Sequence, residues 1–124
     1  MSKYNIAKFN DDEFECKCGC GLNDMNLSFL KKLEKARLYS KTSYVILSAH
    51  RCEKHNKKVG GVPDSSHLKG FAVDIYAPND NKRFLILYGL IKAGFTRIGV
   101  YNDFIHVDDD PSKDKNVSWT KWKI

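Results

Sequence analysis

The sequence predicts an α+β fold: a small antiparallel sheet with two helices packed on one side. Three observations predict it, namely two segments with helical apolar spacing, two short β-rich runs, and two strands joined by only two residues. With 124 residues, 42% of them hydrophobic and 29% charged, the chain fits one domain spanning residues 1–124. A chain of this size buries roughly two thirds of its unfolded surface, so folding does not require disulfide staples.

The elements follow in order. From Leu27 to Leu38, the residues Leu27, Leu30, Leu33, Ala36 and Leu38 recur at helical spacing, and Asn26 or Asp24 can cap the start. Tyr44 to Ala49 is short, β-branched at its centre and bounded by polar residues, which reads as a strand leading into His50 and Arg51. Phe71 to Tyr76 reads as a second strand. Asn79 or Asp80 opens another helix through Phe84, Leu87, Leu90 and Ile91, and Gly94 suits a left-handed residue at its end. Arg97–Tyr101 and Phe104–Asp108 flank Asn102 and Asp103, a hairpin turn without the usual glycine. Residues 109–124, with Trp119 and Trp122, are polar and are expected to cover the core without regular structure.

Composition excludes several function classes. No stretch approaches the roughly 18 consecutive apolar residues of a membrane span, and the longest, Phe84 to Ile91, is broken by Tyr88 and Gly89. Membrane insertion is not expected. The polar start, Met1 to Asn5, lacks the apolar core of a signal peptide, so synthesis in a cytoplasm is expected, and work outside one would need another means of export. Twenty-one Lys and Arg against fifteen Asp and Glu give a net charge of +6, which favours encounter with anionic surfaces. The basic residues are scattered and no nucleic-acid motif frames them, so nucleic acid is not an expected partner.

The chemistry concentrates in His67, Asp74 and His106. A catalytic zinc site takes three protein ligands and leaves a fourth position open, and these residues supply that count. Asp74 and His106 sit mid-strand, where alternate side chains share a face, and His67 can close from the preceding loop. Gly70 permits a tight turn between them. On spacing alone a strand histidine is often a hydrogen-bonded core residue, and a mid-strand Asp can hold a turn.

Ser65, His67, Gly70, Ala72 and Asp74 spell S-x-H-x-x-G-x-A-x-D, which resembles the signature of the M15 zinc peptidases, the D-Ala-D-Ala carboxypeptidase and cell-wall endopeptidase group. Ser48, Arg51, Cys52, His55 and Asn56, followed by Val59-Gly60-Gly61, resemble a stretch of that family's short single-domain branch. Ile98-Gly99-Val100-Tyr101 and Phe104-Ile105-His106-Val107-Asp108 resemble its end, and Phe14 to Gly21 resembles its C-x-C-G-C segment. The resemblance runs from about residue 14 to 108 in unbroken order.

This resemblance implies a hedgehog and D-Ala-D-Ala-peptidase-like fold, one catalytic zinc on His67, Asp74 and His106, and hydrolysis of peptide bonds in peptidoglycan stem peptides. A monomeric phage lysin or virion-associated enzyme acting on the cell wall is expected. Arg51 could hold the developing oxyanion or a substrate carboxylate, and Ser65 could orient substrate or cap its loop. The general base is Asp103, three residues before His106, or Asp108, on the face of His106, with a lean to Asp103. His50 and His55 are expected to be structural. Hedgehog domains also suggest the alternative of a zinc-stabilised binding module without peptidase action.

Cys16, Cys18, Cys20 and Cys52 leave three readings open: reduced thiols, a disulfide to Cys52, or a second structural zinc. Spacing of i, i+2 differs from common zinc motifs, so a second ion is the least expected.

Overall fold

The Asn26 side chain accepts a hydrogen bond from Phe29 N–H at 2.9 Å and starts helix α1, Leu27–Ser40. Asn79 caps α3, Asp80–Lys92, in the same way through Lys82 N–H at 2.8 Å. These are the starts the sequence predicts. A computed structural model describes residues 3–121. The buried stripes differ from the expected ones: Phe29, Leu30, Leu33, Ala36 and Ser40 face inward on α1, while Leu27 and Leu38 are exposed. On α3, Ile86 and Leu90 are buried, and Phe84 and Ile91 face outward. Each helix is apolar on more than one face, so spacing alone did not select the face that packs.

Five strands form one sheet in the order β1-β2-β4-β3-β5. They are β1 (Ile46–Ser48), β2 (Ala72–Tyr76), β3 (Arg97–Tyr101), β4 (Phe104–Asp108) and β5 (Val117–Lys121). The first four pair antiparallel, as expected. β5 pairs parallel to β3, so the sheet is mixed and the tail expected to be irregular supplies an edge strand. Trp122 lies outside the described residues. A short helix α2, Glu53–Lys58, and 3-10 turns at Asp11–Phe14 and Ser66–Lys69 complete the elements among the described residues.

Alternation divides the sheet. Val73 and Ile75 of β2, with Ile105 and Val107 of β4, are fully buried and join Phe29, Leu30, Leu33, Ile86 and Leu90 in one core. Burying a side chain of this kind contributes about 1.5–3 kcal/mol. The N-terminal segment adds Tyr4, Ile6, Phe9 and Phe14 to the same core. Asp74, His106 and Asp108 fall on the other face, away from α1 and α3.

Candidate metal centre

Asp74 and His106 are directly opposite one another across β2 and β4. His67 approaches from the 3-10 turn, which Ser65 begins by accepting a hydrogen bond from His67 N–H at 3.2 Å. Gly70 ends that turn at φ 76°, and a Cβ there would come within 2.5 Å of the Asp24 carbonyl oxygen. Both conditions demand glycine. The result is that one ligand atom from each of His67, Asp74 and His106 lies within 4.8 Å of the others.

Hydrogen bonding fixes which ring nitrogens face inward. His67 Nδ1 is 2.7 Å from the Ala49 carbonyl, which can only accept, so the proton sits on Nδ1 and Nε2 faces Asp74 Oδ1 at 3.2 Å. His106 Nε2 is 2.8 Å from Asp108 Oδ2, leaving Nδ1 to face Asp74 Oδ1 at 3.0 Å. With neutral imidazoles, two lone pairs and a carboxylate oxygen therefore converge with no donor between them. That donor set fits a divalent cation such as zinc, with carbonyl and carboxylate partners orienting both rings from behind.

Electrostatics favour positive charge at the same point. Burial works against charge on Asp74, but its close contacts with His106 and His67 outweigh it and hold the carboxyl well below the usual range. Burial likewise opposes charge on His106, yet its contacts with Asp108 and Asp74 raise its pKa. Burial opposes ionisation of Asp108, and the His106 and Arg97 contacts overcome it, lowering its pKa.

Arg51 lies beside the centre in a fixed fork. Its Nε donates to Ser48 Oγ at 2.9 Å, Nη1 to Asn56 Oδ1 at 3.1 Å and Nη2 to Asp74 Oδ2 at 3.3 Å. Its backbone N–H donates to the His67 carbonyl at 3.0 Å, so residues 49–51 grip both the ring and the backbone of His67. Above these groups opens a cleft of about 290 Å³, whose lining includes Arg51, Ser65, Tyr101, Phe104 and Trp119.

The two candidate bases are placed differently. Asp108 lines the cleft, but Oδ2 accepts from His106, and Oδ1 accepts from Arg97 Nε at 2.7 Å and from Asp110 N–H at 3.2 Å. Asp103 is exposed in the β3–β4 turn, between the cleft residues Tyr101 and Phe104, and is not itself part of the cleft lining. His50 Nδ1 accepts from Asp24 N–H at 2.9 Å and Nε2 contacts the Leu68 carbonyl at 3.1 Å, a structural bridge.

Sequence reasoning gave Asn56, Arg97 and Trp119 no role at the site. Asn56 is buried, holds Arg51 and donates to the Val62 carbonyl at 2.9 Å. Trp119 packs on Gly99, where a Cβ would come within 2.5 Å of the indole, and its Nε1 donates to Tyr101 Oη at 3.1 Å. The Trp119 ring lies 5.5 Å from that of His106, forming a cleft wall. Alternation in Val117-Ser-Trp119-Thr-Lys121 was the available signal.

The sequence matches a family model described as Peptidase M15 over residues 4–108. No curated protein matches it.

Proposed function

Because the chain belongs to the Peptidase M15 family of metallopeptidases, we propose that it is a zinc-dependent hydrolase of peptide bonds in peptidoglycan stem peptides. The observation that carries this reading is the convergence of His67, Asp74 and His106 ligand atoms beneath an open cleft. The substrate class rests on the resemblance of residues 65–74 and 104–108 to D-Ala-D-Ala carboxypeptidases and cell-wall endopeptidases. A net charge of +6 suits an anionic wall. The same resemblance supports a monomeric lysin or virion-associated enzyme.

His67 Nε2, an Asp74 oxygen and His106 Nδ1 would hold the ion. When bound, zinc supplies a Lewis acid that polarises a carbonyl and acidifies water toward neutrality. Arg51, locked by Ser48, Asn56 and Asp74, places fixed positive charge where negative charge develops on the carbonyl oxygen or where a terminal carboxylate binds. Ser65 caps the turn that aims His67, and Trp119 and Phe104 provide apolar walls for a peptide. Asp108 keeps the Nε2 proton of His106 in place and thereby keeps Nδ1 directed inward. Both Asp108 oxygens are committed, so we assign proton acceptance to Asp103, in the exposed turn between the cleft residues Tyr101 and Phe104.

Mass spectrometry of purified muropeptides after digestion tests the proposal. Loss of a terminal D-residue identifies a carboxypeptidase, and cleavage of cross-links an endopeptidase. A zinc-loaded protein that cleaves neither leaves a zinc-stabilised binding module.

A further inference from the structure

The second concentration of ligand atoms joins the N-terminal segment to Cys52, and none of its cysteines lines the cleft. Cys16, Cys18 and Cys20 share a short loop with two glycines at positive φ, Gly19 at 84° and Gly21 at 87°. That loop is closed by Cys16 N–H on the Leu22 carbonyl at 2.8 Å and Gly19 N–H on the Cys16 carbonyl at 3.2 Å. It turns three thiols toward Cys52, which is far away in sequence. All four sulfurs lie within 4.8 Å of one another. Cys16 and Cys18 are 3.5 Å apart, Cys18 and Cys52 3.7 Å, and Cys16 and Cys52 3.8 Å.

These separations discriminate among the three readings of the cysteines. A disulfide brings two sulfurs to about 2.05 Å and leaves the others out. A tetrahedral tetrathiolate with Zn–S of about 2.3 Å has sulfur–sulfur edges of about 3.8 Å, which the three measured separations approach. We propose that Cys16, Cys18, Cys20 and Cys52 bind a second, structural zinc ion as four thiolates. Four soft sulfur donors with no fifth ligand select zinc over hard cations. The thiols release their protons to solvent as the ion binds. Backbone donors already support sulfur as an acceptor: Cys52 N–H faces Cys16 Sγ at 3.4 Å and His55 N–H faces Cys52 Sγ at 3.3 Å.

The ion would tie the N-terminal loop to the residue that follows Arg51 and caps α2. Cys52 is thus the link between this cluster and the segment that holds His67. The i, i+2 spacing is unlike common zinc motifs, but the positive-φ Gly19 and Gly21 let the C-x-C-G-C run fold onto itself.

Full-length protein purified under reducing conditions from zinc-supplemented medium should carry two zinc ions per chain by elemental analysis. After exchange with Co²⁺, the wild type should show the intense near-ultraviolet sulfur-to-cobalt charge-transfer absorption of a tetrathiolate, which a His/Asp/His site cannot produce. Cys52→Ser should lose that absorption and one ion, and the double variant His67→Ala, His106→Ala should keep both the absorption and one ion. A wild type without the charge-transfer band overturns the proposal whatever its zinc content. So does a mass for the unreduced protein lower by two hydrogens, which would identify a disulfide.

Discussion

His106 is held by Asp108 at Nε2 while its Nδ1 faces Asp74, and no such contact ties Asp103 to the ring, so altering Asp108 and Asp103 should give different signatures. Asp108→Asn keeps the shape but weakens the acceptor that fixes the ring. It should lower zinc affinity by about 10–100-fold together with turnover, measured by competition with a chromogenic chelator. Asp103→Asn should lower turnover and leave zinc affinity unchanged, because that side chain makes no hydrogen bond to His67, Asp74 or His106; unchanged turnover would remove Asp103 as the base. Arg51→Lys keeps the charge but loses the fork that Ser48, Asn56 and Asp74 hold. Its turnover on muropeptides should fall by on the order of a hundredfold with zinc content intact.

β5 shows what an element adds that its residues do not announce. Its indole occupies the space above Gly99, so Gly99→Ala must push Trp119 away from the cleft. The variant should lose about 1–3 kcal/mol in urea denaturation, show altered tryptophan fluorescence and bind muropeptides more weakly. The two long helices, the hairpin and the pairing of Asp74 with His106 were legible in the sequence because periodicity and strand alternation act locally. The parallel docking of β5 was not, because a five-residue edge strand in a polar tail gives little hydrophobic signal and its partner lies across a connection. Leu38 and Phe84 misled for a related reason: helical spacing marks an apolar stripe, while contact between α1 and α3 decides which stripe is buried. Asn56 was illegible because its role is to hold Arg51, a relation set by the tertiary path of the chain.

The whole molecule should respond to metal and to acid. Zinc that binds the folded chain and not the unfolded one stabilises it by mass action, about 2.7 kcal/mol at a hundredfold excess over Kd. Chelation should therefore lower Tm in calorimetry, and added zinc should restore it. Acid acts also through Asp110, which is buried and accepts from Ser66 Oγ at 2.7 Å, Ser112 Oγ at 2.7 Å and Ser112 N–H at 3.0 Å. Burial raises its pKa, but these bonds and Lys69 more than offset that and lower it. Its stabilisation is complete above the unfolded value of about 3.9 and is lost as pH falls through the lower folded value. Asp110→Asn should flatten the acid limb of the stability curve below about pH 4. The strand order has a further consequence for time rather than shape. β2 and β4 each have a neighbour on both sides, whereas β5 has only β3. In hydrogen–deuterium exchange, the amides of residues 73–75 and 105–107 should open only with global unfolding, and those of 117–121 by local fluctuation. The placement of Asp74 and His106 is then set in slowly exchanging central strands, and that of the Trp119 wall of the cleft in a strand that opens far more often.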